Sequence, residues 1–341
     1  MSVYGTIRSN VISTRGSFKK SNFMVPAFTN TDVFTAETAV DLFLEVNNEA
    51  VTIDSGTPIT MPGSPVTGTD YAVWAKPDGT LEATTNHVTP PAVNSRRIGG
   101  FHYAPGSNAT AQAGGNDTPQ INVYSFWDLA YRPACSDPRG MTLVADKFWC
   151  DIYLTGVDAI TNGSSRYNVT IADGSSPPKI PTMFGGSGSS TYGSYTWFEA
   201  QELAQAFGKR SLTYAEFEVA AYGTTETTAS GGTDVPTTGI NGTGSTSNWN
   251  VFTSKWGLIQ ATGCMWIWGR TRGGPYAAAS WNANTEGRGS EYQAPNASLF
   301  GGYWNNGTAS GSRCSAWGFA ASVSNPGVGS RFACDHLMLV T

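Results

Sequence analysis

Metal or redox chemistry in this chain would have to come from three histidines (His87, His102, His336) and five cysteines (Cys135, Cys150, Cys264, Cys314, Cys334). Their spacing argues against it. No HxxH, HExxH or CxxC occurs, the patterns that bring two ligands onto one helix face or one turn, so no metal and no cofactor are expected. An odd cysteine count without an apolar leader favours free thiols, mostly buried as small hydrophobes. Asp335-His336 could act as an acid/base pair, but reads better as hydrogen-bonded residues that tie down the last strand. The glycine-rich runs 231–234 and 239–244 lack the GxxxxGK[ST] pattern that cradles phosphate. No GxSxG stands in a strand–turn–helix setting to raise a serine nucleophile. Glu216 and Glu218 fall on a helix, where a cap and a solvated face are the simpler roles.

What remains is recognition. Residues 301–341 interleave Tyr303, Trp304, Trp317, Phe319 and Phe332 with Gly, Ser, Ala and Asn, almost without charge. Aromatic side chains give large contact area at low entropic cost, and small polar residues give adaptable hydrogen bonds.

The elements that must position such a surface are mostly short strands. Runs at 40–46, 70–75 and 97–103, with the turn Lys76-Pro-Asp-Gly79, predict a β-sandwich over 27–128. Residues 1–26 form an N-terminal arm or attachment segment in this reading, and 107–118 a surface loop. A second domain, 129–341, opens with loose alternation at 141–156 and a strand at 167–172. Two capping boxes follow. Thr196-Trp-Phe-Glu199 starts one helix that ends at Gly208, and Thr213-Tyr-Ala-Glu216 starts another that ends at Gly223. A long Gly/Ser/Thr/Asn stretch, 224–250, then leads to more strand and loop. The expected class is α+β, with large loops hung on a small scaffold.

Composition narrows the partners. Charged residues are only 13 % of the chain, the net charge is −5, and no Lys/Arg cluster occurs. Nucleic acid and anionic membrane, which need a basic footprint, are therefore not expected partners. No apolar run is long enough to span a bilayer, so no membrane insertion is expected.

Two resemblances follow from longer motifs. Ser312-Arg-Cys-Ser-Ala-Trp317, Gly263-Cys-Met-Trp-Ile-Trp268 and the helix around Ser211-Leu-Thr-Tyr-Ala-Glu216 resemble formylglycine-generating enzymes. That family holds copper with two cysteines near the SRC-like motif. Here the partner position is Ala309, so a lone Cys314 implies a shared scaffold without the oxidase chemistry. The second resemblance is longer. FHYAPGSNATAQAGGN (101–116), DPRGMTLVADKFWCDIYLTGV (137–157), YNVTIADGS (167–175), GTTETTASGGTDVPTTG (223–239), NVFTSKWG (250–257), LFGG, SGSR and CDHL, in order, resemble the major tropism determinants of Bordetella bacteriophage. It runs from about residue 27 to the end. It implies a homotrimeric receptor-binding protein with a C-type lectin-like C-terminal domain after the sandwich. The family's N-terminal β-prism is expected to be missing. The implied partner is a bacterial cell-surface protein, and the implied location is the tip of a virion tail fibre, or a bacterial surface if a cellular retroelement carries the gene. No catalytic activity is implied. A calcium-dependent sugar-binding role is disfavoured, because the EPN and QPD tripeptides of C-type lectins do not occur.

In that family a retroelement randomises Asn codons in a C-terminal repeat. Carried over through GG-x-W-N, SGSR and CDHL, the variable region is 303–332. Its variable positions are Tyr303, Asn305, Gly307, Ala309, Ala316, Gly318, Phe319, Val323, Asn325, Gly327, Val328 and Phe332. Codons of the form NNC cannot encode Trp, Met, Lys, Glu or Gln, and none of these stands at the twelve positions. Trp304, Gly311, Arg313, Trp317, Arg331, Cys334, Asp335 and His336 would then be fixed scaffold. Tyr303, Phe319 and Phe332 are the expected aromatic anchors.

Overall fold

In the computed structural model, the described residues are 17–232, 235, 237–239, 249–276 and 280–339. Most of the expected arm, 1–16, lies outside them, as do 240–244 and Thr233–Asp234 of the glycine-rich runs. The fold is mostly β with few helices, and the chain divides into two compact units. No helix among the described residues is long and apolar enough to cross a membrane.

One unit contains residues 17–104, 119–133 and 336–339. The strands Thr69–Ala75 and Arg96–Ala104 pair antiparallel at the centre of its larger sheet, with Leu81–Thr84 beside the first. Leu42–Val46 and Glu49–Ile53 form a second, smaller sheet. Alternate side chains, such as Leu42, Leu44 and Val46, enter one core with Tyr71, Val73, Ile98 and Phe101, the period-2 burial expected of paired sheets. Residues 17–26 are not free arm. Phe18–Lys20 pairs with Leu42–Val46, Phe18 is buried, and Lys20 Nζ sits 2.6 Å from the buried carboxylate of Asp128. The lone Phe-Lys-Lys was too short a pattern to read as a strand. Tyr131–Pro133 pairs with His336–Met338, so the end of the chain also belongs to this unit.

The other unit contains 105–118 and 134–335. The 107–118 loop is fastened to it: Gly114 and Gly115 donate to the carbonyls of Gly223 and Asn250 at 2.8 and 2.9 Å. Both capping boxes form. Thr196 caps the helix α1, Trp197–Ala206, and Thr213 caps α2, Tyr214–Ala220, with Glu199 and Glu216 closing the boxes. Each helix stops at a left-handed glycine, Gly208 at φ +65° and Gly223 at φ +102°. α1 buries Ala200, Leu203 and Ala204 against Trp268 and Leu299. The strand expected at 167–172 is not continuous. Asn168 takes φ +54°, and only isolated bridges, Gly156 to Ile171 and Thr170 to Thr237, survive. Two sheets organise this unit. Met141–Val144 and Phe148–Asp151 make a hairpin that continues into Phe332–Met338. Ser315–Phe319, Pro295–Phe300, Trp266–Tyr276 and Val328–Gly329 make the other sheet in that order.

Candidate functional site

The segment 301–335 begins at the end of an inner strand of this four-stranded sheet. Pro295–Phe300 delivers the chain to Gly301 and Gly302, at φ +94° and +81°. A Cβ on Gly302 would meet Ser310 Oγ at 2.4 Å, so the pair is needed both for the left-handed turn and for the close approach of the returning loop. That loop closes on itself. Gly301 N–H donates to Cys314 O at 2.9 Å, and Cys314 N–H donates to Gly311 O at 3.0 Å. Glu226, from a distant part of the sequence, accepts the Ser312 N–H at 3.0 Å and also the Ser312 hydroxyl. Asn306 Oδ1 accepts the Tyr303 N–H at 2.9 Å. Within this frame Asn305, Gly307 and Ala309 are exposed, and Tyr303 is half-buried against Trp304 with ring centroids 4.9 Å apart.

The chain then runs out along Ser315–Phe319, the sheet's edge strand, paired to Pro295–Phe300. Trp317 turns inward. Its ring meets Phe300 and Tyr214 edge-on, and a Cβ on Gly273 would lie 3.5 Å from it. Ala316 and Phe319 are half-buried, and Gly318 is exposed with open space around its missing Cβ. Beyond the strand Val323 and Asn325 are half-buried. Asn325 Oδ1 accepts the Gly327 N–H at 2.8 Å, and its carbonyl accepts from Val328 and Gly174.

From Gly327 onward the segment dives into the core. Gly327 is buried against Tyr303, Val328 is 1 % exposed and Phe332 is 0 % exposed. These three positions of the expected variable set cannot touch a receptor as the chain is folded, and Phe332 is not an anchor. The physical reason is pairing. Val328 lies parallel to Trp266, and Phe332 sits opposite Ser211, with both side chains in the cluster beneath α1.

Arg331 is 1 % exposed, and its guanidinium donates to the carbonyls of Asp151, Ile152, Ile259 and Gln260. It stitches two loops together behind the surface, and burial holds its pKa below the usual guanidinium value. Trp304 and Trp317 pack on the core, consistent with scaffold roles, whereas Arg313 has an exposed side chain and contributes its carbonyl to Tyr214 Oη at 2.9 Å. Asp335 pairs with Arg210 at 3.1 Å, and the His336 ring packs edge-on to Tyr131. All five cysteines are free, and burial pushes the half-buried Cys314 thiol up to about 11, a poor nucleophile at neutral pH.

The scaffold roles of Glu226 and Asn306 were not legible in the sequence, because each acts through backbone that only the fold brings near. Beside the loop a cleft of about 750 Å³ is lined by Glu218, Tyr222, Glu226, Lys255, Trp256 and Arg313, and by none of the twelve positions.

A frame of this kind, with side chains presented on fastened backbone, has close relatives. The tail fibre receptor-binding protein of Bordetella phage BPP-1 is 52 % identical over 335 residues, covering 97 % of this chain and 87 % of that protein. The chain belongs to the major tropism determinant family. The family model for the Mtd second domain matches residues 26–128. Solved structures of the Major Tropism Determinant P3c and M1 variants superpose with TM-scores of 0.93 and 0.94, each at 52 % identity over 97 % of this chain and 88 % of theirs. The similarity also begins earlier than residue 27, since a match over 97 % of the chain leaves too little outside it for a 26-residue segment.

Proposed function

We propose that this chain is a tropism-determining receptor-binding protein of a phage tail fibre. Its contact face is formed by Tyr303, Asn305, Gly307, Ala309, Ala316, Gly318, Phe319, Val323 and Asn325. The observation that carries this reading is how the twelve positions divide. Nine are exposed or half-exposed on one continuous stretch, while residues between and behind them fasten the backbone. Affinity would come from Tyr303 and Phe319, since an aromatic hot spot is worth about 2 kcal/mol or more. Gly and Ala at four of the other positions leave the rest of the face flat.

The receptor is a protein on the bacterial surface, the working form is a homotrimer at the fibre tip, and a retroelement diversifies the face. The unit built mainly from 134–335 is a C-type lectin-like domain, and the unit that precedes it in the chain is a sandwich. Binding of the purified chain to host bacteria tests the face. Tyr303→Ala and Phe319→Ala should each weaken binding about 30-fold or more, with only a small change in unfolding temperature. Undiminished binding by both variants overturns the assignment. Light scattering tests the trimer, which should weigh three times the 36.1 kDa of one chain.

A further inference from the structure

The strands Tyr131–Pro133 and Phe332–Met338 run antiparallel, with Pro133 opposite His336. One step further the Ala134 N–H donates to the Asp335 carbonyl at 2.9 Å. The ladder ends there, and the same register continued one residue further would bring Cys135 opposite Cys334. Directly opposed antiparallel residues have Cα atoms about 4.5–5.5 Å apart, inside the roughly 4.4–6.8 Å that a disulfide spans. The two thiols meet. The Cys135 S–H donates to the Asp137 carbonyl at 3.2 Å and to Met141 Sδ at 3.5 Å, and the two thiols are close enough that each shifts the other's titration. Both thiols are free, and both are buried. Their position matters, because 134–335 is the main stretch of its unit. The cysteines therefore face each other where the chain enters that unit and where it leaves.

We propose that Cys135 and Cys334 are a redox pair that closes to a disulfide when the protein meets an oxidising medium, stapling the unit at its entry and exit. The hydrogen bond from Cys135, helped by the ammonium of Lys209, holds the Cys334 thiol below its usual range against the effect of burial, so Cys334 is the first nucleophile. On local opening of the strand end, its thiolate attacks one sulfur of a small-molecule disulfide such as oxidised glutathione and expels one glutathione thiolate. Cys135, its proton passed to that thiolate, then attacks Cys334 of the mixed disulfide and expels the second. Two protein thiols are oxidised, and one glutathione disulfide is reduced to two thiols. The closed bond shuts a loop of almost the whole unit, the case in which a cross-link constrains the unfolded chain most.

The test is incubation of the full chain with oxidised glutathione. Thiols titrated after denaturation should fall from five to three. A non-reducing peptide map should contain the Cys135–Cys334 linked peptide. The unfolding temperature should rise by several degrees and return on reduction. Cys135→Ala and Cys334→Ala should each abolish the linked peptide and the shift, while Cys314→Ala should retain both. Five thiols remaining, a link through Cys150, Cys264 or Cys314, or a glutathione adduct that never resolves would overturn the proposal. The peptide map of the unmodified chain decides it even if a variant fails to fold.

Discussion

Residues 303–325 and 327–335 are neighbours in sequence, similar in composition and opposite in fate. The first stretch leaves side chains at the surface, on backbone fastened by Glu226, Asn306 and the Gly301–Gly302 turn. The second buries nearly everything it carries, from Val328 through Cys334. Side-chain exposure here follows from what holds the backbone. Where hydrogen bonds to Glu226 and Asn306 hold the main chain, the side chains stay at the surface. Where the side chains themselves fill the core, they do not.

Arg331 separates the two stretches most strongly. Replacing it by Met leaves four buried carbonyls without their donor, and should cost about 3–5 kcal/mol in urea unfolding. A loss under about 1 kcal/mol would mean that water satisfies these carbonyls and that the back is less essential than its burial implies. Phe332→Ala should cost a similar amount, about 3–5 kcal/mol, because it empties a fully enclosed site. If instead it abolished binding and left stability intact, Phe332 would return to the contact face.

Lys209 sharpens the same contrast through pH. Burial lowers its pKa, but the Asp151 carboxylate at 2.6 Å, together with the neighbouring sulfurs of Cys135 and Cys334, more than offsets burial and raises it above the ordinary lysine value. With the folded value above the unfolded one, the stabilisation is fully present below about pH 10.4 and is lost as pH climbs through the raised value. Lys209→Met should therefore destabilise at neutral pH by about 3 kcal/mol, and should flatten the alkaline decline of the stability curve. An alkaline limb identical to that of the unmodified protein would remove Lys209 from the account.

Two glycines offer the finest cut. At Gly327 a new Cβ would lie 2.7 Å from the Tyr303 ring, and at Gly318 it would meet nothing within 4 Å. Gly327→Ser should cost about 1–3 kcal/mol by overpacking, whereas Gly318→Ser should stay within about 0.5 kcal/mol of the unmodified chain. Equal effects at the two positions would erase the boundary drawn between the two stretches.

Much of the scaffold was legible in the sequence because its signals are local. The boxes Thr196/Glu199 and Thr213/Glu216 specify their helices within four residues, and Gly208 and Gly223 end them. Strands such as Thr69–Ala75 and Arg96–Ala104 were marked by β-branched and aromatic runs between turns. The failures have local causes too. Asn168 in a left-handed conformation breaks the strand expected around it, and the short Phe18–Lys20 strand exists only because Leu42–Val46 offers it a partner.

The capped helices, the main strands and the aromatic, small-residue character of residues 301–341 are set by local sequence, and the twelve expected positions rest on the resemblance its motifs carry. Which of those twelve look outward was decided only by the tertiary structure. A side chain's exposure depends on what other segments bring against it: Trp266 beside Val328, Ser211 opposite Phe332, and Tyr303 over Gly327. None of these partners lies within twenty residues of the position it covers, so no local pattern could report them.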